Sequence, residues 1–352
     1  MSRFDLDREE LALLLEDEPS YRLEQLARGL YRELKEPAEM TTLPAGLRRR
    51  LQEESRLSLG LRLVAESAAD GGATVKWLFE AGDGARVETV LMAYEKRTTV
   101  CVSSQAGCAM GCSFCATGQL GFARHLGRGE IVEQVARAAR QAAGSGFARL
   151  SNIVFMGMGE PLANYEAVLS AVRMLNGELA IGARSMTIST VGIVPGIRRL
   201  AGEGIQVNLA VSLHAANDSL RDRLVPINRR YRLADLMAAC HDYCERTGRR
   251  ISFEWALISG VNDRAGDALE LSGLATELGA HVNLIPLNPT PGYGVPGSPP
   301  PQVARFARLL QERGVNVTVR ETRGRENGAA CGQLAAGLGP GRLRQGLAVS
   351  PA

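Results

Sequence analysis

Cys108-Ala109-Met110-Gly111-Cys112-Ser113-Phe114-Cys115 puts three cysteines within eight residues, in the spacing C-x-x-x-C-x-x-C. A loop of that length can wrap one inorganic core and bind it through three thiolates. A fourth thiolate would complete an ordinary cysteine-ligated cluster or zinc site, and none follows nearby. Three ligands leave one iron of a [4Fe–4S] cluster open to a substrate or cofactor. Two plainer readings stand beside this one. The cysteines are small core hydrophobes, or they form an incomplete zinc knot with His125 as the nearby further ligand. Gly107 and Gly111 mark a loop rather than a packed element, which weighs against the core reading. The missing fourth ligand weighs against zinc.

Outward from the loop, the chain changes period twice. Residues 1 to about 60 read as helical: Leu11, Leu14 and Leu15 share one face, and Leu23, Leu26, Ala27 and Leu30 repeat the spacing. Arg48, Arg49 and Arg50 form a basic run there, which reads as a solvated face or a phosphate contact. Between 73 and 92, Val75, Trp77 and Phe79 alternate, and Ala81-Gly82-Asp83-Gly84 supplies a turn, the signature of a β-hairpin. From residue 99 apolar runs alternate with helical periods. The expected strands are 99–103, 152–158, 186–190, 207–213, 251–258 and 281–287, with a short one at 315–320. This alternation predicts an α/β fold with parallel strands and crossover helices, about six units and an extra strand, short of a closed eightfold barrel. In such sheets ligands gather at the strands' C-terminal ends. Gly159-Glu160, Ser189, Ser212 to His214 and Asn288 sit there.

With 352 residues, the chain suffices for one large domain and a smaller partner, and its 45% apolar content supports a substantial core. A net charge of +3 neither demands nor excludes a nucleic-acid partner. Seven cysteines form no framework of secreted disulfides, and the first ten residues hold no apolar signal segment. No run is long enough to span a membrane. The expectation is a cytoplasmic protein in a reducing compartment.

The cysteine trio in an early strand–helix loop, followed by Gly159-Glu160 at the next strand end, resembles the radical S-adenosylmethionine (SAM) superfamily. The runs Cys101-Val-Ser-Ser-Gln-Ala-Gly-Cys108, Phe114-Cys115-Ala116-Thr117-Gly118, Met156-Gly-Met-Gly-Glu160-Pro161, Ser212-Leu213-His214 and Ala329-Ala330-Cys331-Gly332-Gln333-Leu334 are together similar to the RlmN/Cfr family of RNA adenosine methyltransferases. That likeness covers about residues 86 to 334. It implies a partial (β/α)6 TIM-like radical SAM barrel. Around the barrel it implies an N-terminal helical RNA-contacting domain over 1–70, a linking β-hairpin over 71–93, a core over 94–326 and a C-terminal segment over 327–352.

The resemblance also implies chemistry. Cys108, Cys112 and Cys115 would hold a [4Fe–4S] cluster whose open iron takes SAM. Gly159, Glu160, Ser189, Ser212, Leu213, His214 and Asn288 would contact that cofactor, Glu160 at its amino group. Cys331 would carry the methyl as S-methylcysteine, Cys101 would release the product by a transient disulfide with Cys331, and Glu88 would accept the proton from the base. The expected substrates are the adenosine of the 23S rRNA peptidyl-transferase centre and the adenosine 3′ to the tRNA anticodon, methylated at carbon 2. Carbon 8 of the rRNA adenosine is the alternative, and a non-catalytic zinc-containing RNA-binding module a distant one. A low-potential electron donor such as flavodoxin or ferredoxin, and a monomeric state, are expected with it. Arg124, Arg128, Arg229, Arg230, Arg320, Arg323 and Arg325 are candidate phosphate contacts. Cys240 and Cys244, four apart on an apolar helical stripe, read as core. Glu326-Asn327-Gly328 departs from the family pattern in lacking an aliphatic residue before the Cys331 motif.

Overall fold

The computed structural model describes residues 2–321, 323–324 and 326–335. The expected weakly structured tail after Gly337 and the candidate contact Arg325 lie outside the described residues. The N-terminal part consists of short helices, α1 (Arg8–Leu13), α2 (Tyr21–Ala27) and α3 (Ala45–Glu53). Leu11, Leu26, Leu30 and Leu51 are fully buried there, as their helical spacing predicts. Three antiparallel strands follow: β1 (Leu61–Ala69), β2 (Thr74–Ala81) and β3 (Arg86–Ala93). The β2–β3 hairpin is the expected one, and β1 is an additional strand. Most of it is exposed, Leu63 and Ala65 as well as Arg62 and Glu66, so no alternation of polar and apolar faces marks it.

After β4 (Thr98–Cys101) come β5 (Gln105–Gly107), α4 (Ala116–Leu120), β6 (Phe122–His125) and α5 (Arg128–Gly144). The repeating part continues with β7 (Leu150–Phe155), α6 (Tyr165–Gly177), β8 (Met186–Thr190), α7 (Val194–Leu200) and β9 (Asn208–Ser212). It closes with α8 (Asp218–Leu224), α9 (Leu233–Thr247), β10 (Ser252–Leu257), α10 (Ala265–Leu278), β11 (His281–Pro286), α11 (Pro300–Gln311) and β12 (Asn316–Val319). Glycine ends two of these helices in the left-handed region, Gly248 after α9 and Gly279 after α10.

One ten-stranded sheet runs β1-β2-β3-β4-β7-β8-β9-β10-β11-β12. From β4 to β12 all neighbours are parallel, so the six strands β4 and β7 to β11 plus β12 are the expected partial barrel. The antiparallel trio extends the same sheet at the β4 edge, through β3. Phe253, Trp255 and Leu257 of β10 face the helices, while Ser252, Glu254 and Ala256 face inward by the period of two. Cys240 is fully buried in the core and Cys244 packs against it, as their spacing predicts.

The fully buried Glu133 of α5 ties the chain's start to this core. Its carboxylate accepts from Ser2 Oγ at 2.9 Å, from the Gly60 N–H at 2.7 Å and from the Leu61 N–H at 3.1 Å, and Arg137 Nε donates to it at 3.0 Å. A buried carboxylate is tolerated because each oxygen is bonded.

Candidate active site

The cysteine loop leaves the sheet at β4 and is pinned by the small β5–β6 pair, to which the Cys108 N–H donates through Gly121 O at 2.8 Å. Gly107 makes this pinning possible. Its φ is +74°, and a Cβ there would lie 2.0 Å from Gly121 O, a backbone atom. Gly107→Ala is therefore expected to cost about 2–4 kcal/mol, read as a lower urea midpoint with unchanged slope, and to reduce the iron bound per chain.

Cys112 is buried, and Cys108 and Cys115 are half-buried. Burial pushes the Cys108 thiol up to about 12, raises Cys115, and raises Cys112 well above its ordinary value, with the neighbouring cysteine sulfurs adding to each shift. Three such thiols stay protonated unless a positive core replaces their protons. Backbone N–H groups of Met110 toward Cys108, and of Thr117 and Gly118 toward Cys115, already favour the thiolate form. Among the described residues, no three His, Cys, Asp or Glu side chains converge tightly enough to hold a single metal ion. One zinc (Zn–S about 2.3 Å) needs its sulfurs within about 4 Å of each other. An iron–sulfur cluster takes each thiolate at a different iron, so the donor set fits the larger core.

Beside the loop lies a cleft open to solvent. Cys112, Cys115, Gly159, Glu160, Ser189, Ser212, His214, Asn288 and Cys331 all border it. Glu160 is buried, and its oxygens accept from the Leu162 N–H at 3.0 Å and the Val191 N–H at 2.8 Å. Burial outweighs those bonds and pushes its carboxyl up to about 7. The Ser189 and Ser212 hydroxyls lie 3.3 Å apart. His214 sits at φ +60°. Its Nδ1 accepts from the Ala256 N–H at 3.0 Å, which leaves the ring proton on Nε2. Burial, and then Arg221, push its pKa down to about 3, so the imidazole is neutral. Leu213 lies between Ser212 and His214 in sequence but does not border the cleft, and its side chain is fully buried in the core. Its carbonyl accepts from the buried Arg221.

A second cleft, of about 700 Å³, abuts the first. Cys101, Tyr94, Arg320, Arg323, Ala329 and Ala330 line it, and Cys115, Met156, Gly157, Ile285, Asn288, Cys331 and Gly332 border both spaces. Cys331 is thus part of a shared wall. Its segment docks through backbone: the Ala116 N–H donates to Gly332 O at 2.8 Å, Thr117 Oγ1 to Leu334 O at 2.7 Å, and Asn288 Nδ2 to Cys331 O at 3.2 Å. Burial pushes the Cys101 thiol up to about 12, and Cys331 adds to that shift. Arg320 lies near both sulfurs and counters it at Cys101.

Glu88 borders neither cleft. It is buried on β3 against Lys76 Nζ at 3.1 Å and the Ala335 N–H at 2.8 Å. Among the arginines, Arg124 is held by Asp83 and Glu130, and Arg128 donates to the Phe4 and Asp5 carbonyls. Arg323 stacks on Tyr94 at 4.5 Å. Arg229 and Arg230 are exposed. The sequence reading missed Glu254, a buried carboxylate bordering the first cleft, whose Oε2 has no hydrogen-bond partner. Its signal is a lone carboxylate inside the apolar run of β10.

Residues 102–271 match the model of the radical SAM superfamily. A protein of Frankia casuarinae named "Probable dual-specificity RNA methyltransferase RlmN" is 52% identical over 94% of this chain and 80% of its own length. A Salinispora tropica protein of the same name is 48% identical over 97% of this chain and 94% of its own. The crystal structure of a radical SAM methyltransferase from Sphaerobacter thermophilus superposes with a TM-score of 0.90 at 50% identity, covering 96% of this chain and 99% of that one. Likeness of this depth over nearly the whole length of both partners takes in the cysteine loop, both clefts and the wall between them, and places the chain in the RlmN family of radical SAM methyltransferases, enzymes that use a [4Fe–4S] cluster and SAM.

Proposed function

We propose that this enzyme methylates carbon 2 of adenosine in 23S rRNA and in tRNA, with Cys331 as the methyl carrier. The observation that carries this reading is the position of Cys331 in the wall common to two clefts. A carrier there faces a methyl source on one side and an acceptor base on the other. Carbon 2 of adenine lies between two ring nitrogens and is electron-poor, so it does not attack a sulfonium methyl directly. When bound, a [4Fe–4S] cluster and SAM would supply carbon-radical chemistry, with Cys108, Cys112 and Cys115 as the residues that would hold the cluster.

The chain's own residues bind, orient and move protons. Cys108, Cys112 and Cys115 hold the cluster. Glu160 takes the amino group of the cofactor, Ser189 and Ser212 present hydroxyls, neutral His214 donates from Nε2, and Asn288 fixes the Cys331 backbone. Cys331 would hold the methyl as a thioether; that methyl gives up one hydrogen atom to the carbon radical, its carbon bonds to the base carbon, and the surplus electron of the adduct passes back to the bound cluster. Glu88 accepts the proton lost from the base carbon. Cys101 then attacks the Cys331 sulfur, forming a disulfide as the sulfur–carbon bond breaks; the electron pair of that bond stays with the product carbon, which takes a proton to become the methyl group, and an external reductant returns the disulfide to thiols. Arg320, near both sulfurs, favours the attacking thiolate. Tyr94 and Arg323 offer the base a stacking surface at the mouth of the second cleft. No helix among the described residues is long and apolar enough to cross a membrane. The reading includes a cytoplasmic monomer fed by a low-potential donor such as flavodoxin or ferredoxin.

Nucleoside mass spectrometry tests it, on rRNA and tRNA fragments incubated anaerobically with reductant and labelled SAM. Label in 2-methyladenosine from both RNAs is expected, and 8-methyladenosine in its place would overturn the assignment of carbon 2.

A pH dependence follows from Glu160. Its folded pKa, about 7, lies above the ordinary carboxylate value, so the folded protein holds a proton there in the window below 7. The unfolded chain releases that proton above about 4.5, so this group's contribution to stability is lost as pH rises through the window. Binding of an ammonium group has the opposite slope, because it needs the carboxylate. The SAM dissociation constant is expected to rise about tenfold per pH unit below 7. Calorimetry at pH 6 and 8 checks this, with Glu160→Gln flattening the profile.

A further inference from the structure

Lys76 on β2 and Glu88 on β3 share a sheet face with Cys101. Lys76 pairs with Val90, and Val90 with Cys101, so these side chains point the same way, and Glu88 lies two residues along from Val90. The C-terminal segment crosses this face. Lys76 Nζ contacts Glu88 Oε1 at 3.1 Å and donates to Gly328 O at 3.3 Å, while Glu88 Oε2 accepts from the Ala335 N–H at 2.8 Å. A single ion pair, with Glu88 buried and Lys76 half-buried, therefore grips both ends of an eight-residue loop, 328–335, with Cys331 at its centre. Buried charges are costly unless their remaining bonding capacity is filled, and here the loop's backbone fills it. The same loop roofs the second cleft with Ala329, Ala330 and Gly332.

We propose that Lys76 is a positioning residue: with Glu88 it clasps the Cys331 segment shut, and the clasp opens to admit the nucleotide. The proposal deepens the reading of Glu88 as proton acceptor and explains a conflict in it. Both Glu88 oxygens are taken in this state, Oε1 by Lys76 and Oε2 by the Ala335 amide, so Oε2 becomes free to accept a proton only when the segment lifts. Substrate entry and release of the base are then one event, and the closed state keeps the acceptor engaged while no substrate is present.

Hydrogen–deuterium exchange on the anaerobically reconstituted full chain tests this. Peptides spanning 326–335 are expected to exchange about tenfold faster in Lys76→Met, the loss of a charge-assisted hydrogen bond, with the barrel peptides unchanged. Lys76→Arg keeps the cation and is expected to restore protection. Glu88→Gln removes the ion pair while leaving an oxygen for the Ala335 amide. It gives the same readout if Lys76→Met loosens the whole sheet. An adenosine-containing RNA fragment is expected to deprotect the segment in the wild type. Wild-type exchange of 326–335 in both Lys76→Met and Glu88→Gln would overturn the clasp whatever the turnover. Intact turnover in Glu88→Gln with accelerated exchange would instead end the acceptor role and leave the clasp standing.

Discussion

Cys331→Ala is expected to lower methyl transfer to RNA by about 10⁴-fold or more, the scale seen when a covalent nucleophile is lost, while iron content and cofactor binding stay at wild-type levels. The structure explains why the two separate. Four of the bonds that dock the segment grip its backbone, at Gly332 O, Leu334 O, Cys331 O and the Ala335 N–H, and the Gln333 and Asn327 side chains add bonds to Pro289 O and Ser67. None of those bonds uses the Cys331 sulfur, which is half-buried. Truncation to alanine should therefore move stability by only about 0.5–1 kcal/mol. Iron analysis, calorimetric SAM binding and label transfer, measured on one preparation, check the outcome. Substantial transfer by Cys331→Ala would mean that the methyl does not pass through this residue.

Cys101→Ala is expected to stop the reaction halfway, with RNA bonded covalently to the chain. The product leaves only when a second thiol attacks the Cys331 sulfur, and Cys101 is the other cysteine of the second cleft outside the cluster loop. Its side chain is small, buried on β4 and opposite Val90, so alanine leaves the sheet intact. A species that survives denaturing electrophoresis and nuclease trimming, at up to one RNA per chain, is the predicted signature, with the modified peptide containing Cys331. Because burial holds the Cys101 thiol near 12, release in the wild type should quicken as pH rises above neutral. Intact turnover without an adduct would exclude the two-cysteine route.

The barrel was legible because its strands are buried on both faces and read as continuous apolar runs between helical periods. β1 was not, since Leu61–Ala69 exposes Leu63 and Ala65 as well as Arg62 and Glu66, and it is recognisable only once β2 lies beside it. β5 and β6 span three and four residues, too few for a period to emerge. The cysteine loop and the strand-end residues stand together in sequence, so spacing and motif exposed them. Leu213 shows the limit of reading a motif as a contact surface. It follows Ser212, and consecutive residues at a strand end point to opposite sides, so its side chain enters the core. Lys76 carries no local signal of function, Glu254 shows only as a lone carboxylate in an apolar run, and Arg320 reads in sequence as one phosphate contact among several. Each acquires its place from residues far along the chain: Gly328 for Lys76, Asn283 for Glu254, and Cys331 with Cys101 for Arg320.

The clasped segment is also the latest part of the catalytic apparatus to be made. Its bonds to Lys76 and Glu88 bridge 252 and 247 residues, and Asn327 reaches back 260 to Ser67. Contacts of that span close the longest loops in the chain, so their entropic cost falls due last. The strands that bear the cluster loop and the cofactor cleft all precede residue 288 in sequence and need none of them. A chain cut short after β12 would retain the means to generate a radical with no sulfur in place to receive it.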